Sequence, residues 1–308
     1  MDRSKVLHFL NAAQARETPC VVVTVYAVEG SSMRNPGTIM GVAADGSFEG
    51  SLSGGCIENA VVAEALDALK AGATRTVRFG AGSPYLDIKL PCGGGLDLHF
   101  APLGESPFIA ECLASERARE PYAIAVSAQG AAHRTQWPAK GEGVFEQWPV
   151  PMVRIVGHGA AVEALSTLAV AMGCETHALT PDERIVESLT SRGHNPTLLK
   201  RRTQTDALAS DPWTAFVFLF HDHDWEIDLM QRAMELPHFY LGAMGGRKAH
   251  AARHKALSAR GVALDKINQI RAPIGVFHSS RDPDTLALST MAEIIQVYQD
   301  GDFENACG

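Results

Sequence analysis

Six short segments of the chain carry residue types that can do chemistry. Gly157, His158 and Gly159 lie between an apolar, strand-like run and a helix-like run. Glycines there allow a tight turn, and the amino end of a helix offers free N–H groups and a positive dipole end to a phosphate. A second such turn sets Gly245 and Gly246 before Arg247 and Lys248, a grouping suited to an anion. Residues 53–58, SGGCIE, place Gly54, Gly55 and Cys56 at a predicted helix start, with Glu58 beside them. A thiol there tends toward the thiolate, and the glycine amides can cradle an oxyanion. Residues 91–95, PCGGG, set Cys92 against Gly93, Gly94 and Gly95. Glycines in a row supply no packing and cost entropy, so either a ligand approaches this backbone or the chain turns sharply. Residues 30–37, GSSMRNPG, hold Arg34 in a loop, where a guanidinium can fork onto a phosphate or carboxylate. Residues 221–224, HDHD, follow a strongly apolar run. They fall at the carboxyl end of a strand, where open α/β sheets bind ligands, which makes His221 and Asp222 candidates. Asp224 suits the N-cap of the next helix.

Each segment also has a plainer reading as a tight turn, a buried thiol or a solvated charge. The third glycine of GxGxxG is replaced by Val162. Thr180 stands where a ribose-binding carboxylate is expected, and Asp182 comes slightly late. On the residues alone, the turn fits a dinucleotide site and a Rossmann-like turn without one equally well. GxSxG, HExxH and GxxxxGK[ST] are absent from the sequence, which leaves hydrolase and NTPase readings without a warrant.

The elements that must position these segments follow from hydrophobic periodicity. The amino-terminal stretch has Val6, Phe9, Leu10 and Ala13 at helical spacing. Residues 20–28 form a β-branched strand. Residues 38–43 and 47–52 form a hairpin around Asp45-Gly46, a pair favoured in type I′ turns. A helix with Val61, Ala65, Leu66 and Leu69 on one face closes at Gly72. Strands are expected at 74–79, 86–90 and 96–100, a helix at 107–120, and a second hairpin around Gln129-Gly130. Residues 137–151, rich in Gly and Pro, mark a domain boundary. Beyond it, strands (152–156, 175–179, 215–220, 239–243) alternate with helices (181–192, 225–236, 247–260), as in a parallel sheet wound by right-handed crossovers. A last helix covers 284–299. The expected fold class is α/β: an N-terminal α+β domain over 1–148 and a Rossmann-like parallel-sheet domain over 149–308. The last helix is expected to pack back on the first domain.

With 308 residues, 46% of them hydrophobic, the chain can bury two cores. Its net charge of -8 argues against nucleic acid and anionic membrane surfaces. No signal peptide or membrane-spanning run is read, and the six cysteines include no CxxC pair. A reducing cytoplasm is the expected location.

These segments together resemble the XdhC/CoxI family of molybdenum-hydroxylase maturation factors. The matching text is GSSMRNPGTIMGV, GSLSGGCIENAVVAEAL and PCGG, then VRIVGHG, FLFHDHDWEID, YLGAMGGRKAHAARHKAL, APIG and DPDTLALSTMAEII, in the family's order. The resemblance implies a non-catalytic chaperone that binds and protects the molybdenum cofactor. It would assist sulfuration with a cysteine desulfurase and deliver the cofactor to an apo molybdenum hydroxylase of the xanthine dehydrogenase or aldehyde oxidoreductase type. A homodimer is also implied. The candidate cofactor-binding residues are Arg34, Gly54, Gly55, Cys56, Glu58, Cys92, Gly93 and Gly94 in the first half. In the second they are Gly157, His158, Gly159, His221, Asp222, Gly245, Arg247 and Lys248. The alternatives are an NAD(P)-dependent oxidoreductase and a scaffold that binds no cofactor.

Overall fold

The computed structural model describes residues 3–32, 34–55, 57–83, 93–137, 139–221, 223–277, 280–301 and 303, with His223 by its backbone. The chain divides into two compact units, one up to Pro149 and one from Val150.

The first unit opens with α1 (Arg3–Ala15), then β1 (Cys20–Glu29), β2 (Ile39–Ala43) and β3 (Phe48–Glu49). Next come α2 (Glu58–Ala71), β4 (Arg75–Gly80), β5 (Gly95–Leu103) and α3 (Phe108–Ala118). A hairpin and a third strand follow: β6 (Tyr122–Ser127), β7 (Gly130–Arg134) and β8 (Val144–Gln147). The described strands pair antiparallel in the orders β3-β2-β1-β5-β4 and β7-β6-β8. β1 is central because both of its faces are apolar. Val21, Val23 and Val25 pack with Val61, Ala65 and Ala68 of α2. Cys20 and Val22 pack with Leu7 and Leu10 of α1 and Ile109 of α3. The pleat sends alternate residues to opposite faces, so one strand serves two layers. Gly72 ends α2 in the left-handed conformation, with φ 60°.

Two local expectations are corrected. In the β2–β3 hairpin Gly46 has φ +83° while Asp45 stays at negative φ, so the turn is not type I′. Instead Ala43 accepts from the Gly46 amide and Asp45 accepts from Ser47 through both its amide and its hydroxyl. The Gly- and Pro-rich boundary stretch is also not all linker: its VFEQ run is β8, paired with β6. The strand expected at 86–90 lies outside the described residues.

The second unit runs β9 (Met152–Gly157), α4 (Ala160–Ala171), β10 (Glu175–Thr180), α5 (Glu183–Ser191), β11 (Thr197–Leu198) and β12 (Thr214–Leu219). It continues with α6 (Glu226–Ala233), β13 (Tyr240–Ala243), α7 (Arg247–Ala259), α8 (Leu264–Ile267) and α9 (Pro283–Asp300). The strands are parallel in the order β11-β10-β9-β12-β13. The order reverses between β9 and β12, which is the topological switch point of a doubly wound sheet. One face is covered by Leu165 and Ala169 of α4 and Ile185 of α5. The other is covered by Leu229 and Met230 of α6, Leu257 of α7 and Ile267 of α8.

The last helix belongs to the second unit's own core. Ala287, Met291 and Ile294 of α9 join the cluster of Leu165 and Ala169. They lie at i, i+4 and i+7, so one stripe faces α4. Among the described residues no helix is long and apolar enough to cross a membrane.

Candidate functional site

In the first unit, register brings the candidate segments to one sheet edge. β1 ends beside the start of β5, which in turn lies beside the end of β4: Glu29 pairs with Gly95, which pairs with Gly80. β2 starts toward that same edge, since Ile39 pairs with Thr24 and Ala43 with Cys20. β3 runs back toward it, with Glu49 opposite Gly41. The loops after β1, after β3 and before β5 therefore emerge together.

Gly94 marks the closest approach of two of them. A Cβ there would lie 2.5 Å from the Ser31 carbonyl oxygen and 2.7 Å from that of Glu29. Gly94 itself accepts from the Ala81 amide at 3.0 Å, and Gly93 has φ +71°. Gly94 thus serves a close backbone approach, whereas a Cβ at Gly93 would meet open space. Arg78 fastens the edge, donating to the Ala81 carbonyl at 2.7 Å and bridging to Asp97 and Glu29. Arg34 sits in a turn closed by Ser32, whose hydroxyl accepts from its amide at 3.1 Å and donates to its carbonyl at 2.9 Å.

Glu58 has a role that the sequence did not suggest. Its carboxylate is buried (6% exposed) and turned back on the preceding loop. Oε1 accepts from the Ser51 hydroxyl (2.8 Å), the Leu52 amide (3.1 Å) and the Ser53 amide (3.0 Å). Oε2 accepts from the Ser53 hydroxyl (2.8 Å) and the Ile57 amide (3.1 Å). A carboxylate offers about four lone-pair sites, so this one is filled by its own loop. Burial alone would push its pKa up. The Ser53 amide, the Ser51 and Ser53 hydroxyls and the Gly55 amide outweigh that and hold it at about 2. Glu58 therefore shapes the turn.

The glycine amides in that turn also point inward: Gly54 donates to the Ser51 hydroxyl at 3.0 Å, and Gly55 to Glu58. Both have positive φ, and a Cβ at Gly55 would meet open space. The backbone of Gly55 is thus approachable from outside, while its amide serves the carboxylate. Cys56 and Cys92 lie outside the described residues. The described cysteines, Cys20, Cys112 and Cys174, are buried, and burial pushes their thiols up to about 11, 12 and 11.

In the second unit the candidates lie on the carboxyl edge of the parallel sheet. A Cβ at Gly157 would come 2.6 Å from the Leu219 carbonyl oxygen, so glycine is required where β9 and β12 close on each other. The His158 amide donates to that carbonyl at 3.3 Å. The His158 ring lies 5.7 Å from that of His221 and 5.5 Å from that of Phe220. Gly159 is the N-cap of α4, at φ 88°, and a Cβ there would meet open space. Val162, in the place of the third glycine, is fully buried in the core. Thr180 is buried too, accepting from the Asp182 amide, and Asp182 caps α5 by accepting from the Arg184 amide at 3.0 Å. Asp222 lies outside the described residues. Asp224 does not cap α6: Trp225 holds the N-cap position, and Asp224 pairs with Arg202 at 3.2 Å.

Gly245 and Gly246 lead from β13 into α7, with Gly245 at φ +120°. A Cβ at Gly245 would lie 2.8 Å from that of Ala249, while one at Gly246 would meet open space. Arg247 and Lys248 are exposed in the first turn of α7, which has no acidic residue there and no side-chain cap. Sequence reasoning missed what stands behind this turn. Arg253 and Glu226 form an ion pair at 2.7 Å, both fully buried, and Arg253 also donates to the Met244 carbonyl at 2.9 Å. Its signal was weak: a charge on the inward stripe of each of two helices.

An α+β unit of antiparallel sheets, followed by a doubly wound parallel sheet with glycine turns on its carboxyl edge, defines a protein with a Rossmann-like second half. Family models agree: one described as the XdhC Rossmann domain matches residues 153–294, and one of the XdhC and CoxI family matches residues 13–80. The molybdenum cofactor insertion chaperone PaoD of Escherichia coli (strain K12) is 34% identical, with 96% of this chain and 89% of PaoD covered. The uncharacterized protein YqeB of the same strain is 23% identical over 94% of this chain, which spans 46% of YqeB. A Bacillus halodurans crystal structure described as a xanthine dehydrogenase matches at TM-score 0.79 and 19% identity, covering 97% of this chain and 99% of that one. That last likeness speaks to fold. The chain belongs to the XdhC/CoxI family.

Proposed function

We propose that this protein is a non-catalytic maturation factor that binds the molybdenum cofactor and delivers it to an apo molybdenum hydroxylase. The reading rests above all on the identity to an E. coli molybdenum cofactor insertion chaperone along nearly the whole chain. The residues present fit such a ligand. Its phosphate suits approachable backbone at glycine turns, and the Cβ positions of Gly55, Gly159 and Gly246 all open onto space. Arg34, Arg247 and Lys248 supply cations near those turns. Its soft metal centre suits thiolates, for which Cys56 and Cys92 are the candidates. His158, His221, Asp222, Gly54, Gly93, Gly94, Gly157 and Gly245 complete the proposed sites, with Glu58 acting through the turn it holds.

When bound, the cofactor would supply a dithiolene-held metal for transfer. The protein's own part is to hold the phosphate, keep the loop around residue 56 in shape and shield the metal until the client takes it. A cysteine desulfurase is the proposed partner for sulfuration, an enzyme of xanthine dehydrogenase or aldehyde oxidoreductase type the proposed client, and a cytoplasmic homodimer the proposed form. NAD(P) binding at the Gly157–Gly159 turn is a weaker reading, because Val162 is buried, Thr180 is buried and Asp182 is engaged as a cap.

Equilibrium binding of freshly prepared molybdenum cofactor tests the proposal, with Cys56→Ala and Cys92→Ala beside the native chain. Saturable binding that weakens in either variant is expected. No binding to a folded chain, with tight NAD(H) binding instead, would turn the assignment toward an oxidoreductase.

A further inference from the structure

A pocket of about 550 Å³ opens over the amino end of α7. That volume lies within the range of small-molecule sites. Gly245, Gly246 and Arg247 form one wall, and Ile274, Phe277 and Ser280 form another. It lies beside β13, separated from the Gly157–Gly159 turn of β9 by β12.

The first wall is built for an anion. α7 is thirteen residues long and has no side-chain cap. Its first amides, Arg247 and Lys248 put positive potential at one spot, with no acidic residue in that turn. The open space at the Gly246 Cβ position leaves the backbone approachable. Behind Gly245 lies Arg253, wholly buried, with Nη2 4.0 Å from where a Cβ would be and Nη1 without a hydrogen-bond partner. Across the pocket, the buried Ser280 hydroxyl also lacks a partner. A buried hydroxyl left unpaired costs free energy, and a bound acceptor removes that cost.

The second wall is built for a ring. Phe277 is 48% exposed, unusual for phenylalanine, yet its backbone is fixed. Its amide donates to the Ser289 hydroxyl at 2.7 Å, and the Gly275 amide donates to Glu293 at 2.7 Å. Both acceptors stand on α9, so the aromatic face is held by a helix of the core.

We propose that this pocket binds a planar heterocycle carrying a phosphate. The phosphate takes the Gly246 and Arg247 amides, the Arg247 guanidinium and the Ser280 hydroxyl; the ring stacks on Phe277. A nucleoside monophosphate and a phosphorylated pterin share this chemistry. The proposal rests on the maturation reading for the Gly245–Lys248 turn and goes beyond it by adding Phe277 and Ser280 as ring and phosphate contacts that need no metal.

The test is calorimetric titration of the full chain with adenosine 5′-monophosphate, with neopterin phosphate and with inorganic phosphate. Saturable binding of at least one of the two ring phosphates is expected, and the tighter one identifies the source. Arg247→Ala should weaken it by at least about 10-fold, and Phe277→Ala by roughly 5- to 50-fold. Both residues are exposed, so the variants should fold, which thermal melts check. No saturation by either ring phosphate up to about 1 mM overturns the proposal. So does affinity unchanged in both variants, or binding no tighter than that of inorganic phosphate and indifferent to Phe277→Ala. If the probes fail while molybdenum cofactor still binds the same preparation, the pocket proposal alone falls. If the probes bind and the cofactor does not, the maturation reading alone falls.

Discussion

Ser53 and Glu58 are joined twice: the Ser53 amide donates to one carboxylate oxygen at 3.0 Å and its hydroxyl to the other at 2.8 Å. This pair fixes the turn that carries Gly54 and Gly55, and it makes the turn acid-sensitive. The folded pKa of about 2 lies below the ordinary 4.5, so the stabilisation is complete above about pH 4.5 and is lost as pH falls through about 2. Glu58→Gln would present an amide to the Ser53 hydroxyl and the Ile57 N–H. The variant should lose on the order of 2–3 kcal/mol at neutral pH and show a flatter acid profile. Urea melts across pH check this; an unchanged midpoint would sink the assignment.

His177 gives a second, separate window. Burial and, next, the Arg154 guanidinium depress its pKa to about 4. The fold therefore favours the neutral ring. Its contribution is full above the unfolded value near 6.5 and fades as pH drops toward 4. Proton NMR should show a His177 titration midpoint near 4, and Arg154→Met should raise it. A midpoint at 6.5 in the native chain would contradict the contact.

The thiols should divide sharply. Cys20, Cys112 and Cys174 are buried with raised pKa, so iodoacetamide should modify them slowly at neutral pH. Cys56 and Cys92, each next to a glycine in the sequence, should react first. Mass spectrometry of a timed alkylation decides, and uniform rates would remove the reactive-thiol idea.

Two glycines of one turn should respond differently. Gly157→Ala drives a methyl group against the Leu219 backbone and should cost about 2 kcal/mol or more. Gly159→Ala meets open space but keeps a positive φ, so the cost should be about 1 kcal/mol. Equal losses in thermal melts would refute the packing argument.

Removing one member of the buried pair Glu226–Arg253 should be severe. Arg253→Met leaves a carboxylate in the core, for a loss of about 3–5 kcal/mol. The double change Glu226→Gln with Arg253→Met should recover part of it. A double variant no better than the single would show that the pair is not the reason.

Much of the fold could be read from local chemistry. β1 announces itself by its β-branched run, α2 by its apolar stripe and Gly72, and the parallel strands by apolar segments between glycine turns. What escaped depended on partners distant in sequence or on side-chain direction. Val144–Gln147 is too short, among glycines and prolines, to show a period, and becomes β8 only by pairing with β6. Glu58 could be seen beside a glycine turn, but not that its oxygens fold back on Ser51, Leu52, Ser53 and Ile57. The wall of Phe277 and Ser280 meets Gly245 only because the loop before α9 is fastened to Ser289 and Glu293.

The seat of α9 has a consequence for how the chain is made. A ribosome releases residues in order, and among the described residues the first unit's cores are closed by none later than Phe145. They can consolidate while the remainder is still being translated. The second unit cannot do likewise, because Met291 and Ile294 complete the layer over α4 and β9. Until they leave the exit tunnel, Leu165, Ala169 and Ile155 lack their cover, and the apolar face of the nascent second half stays open to water during that interval.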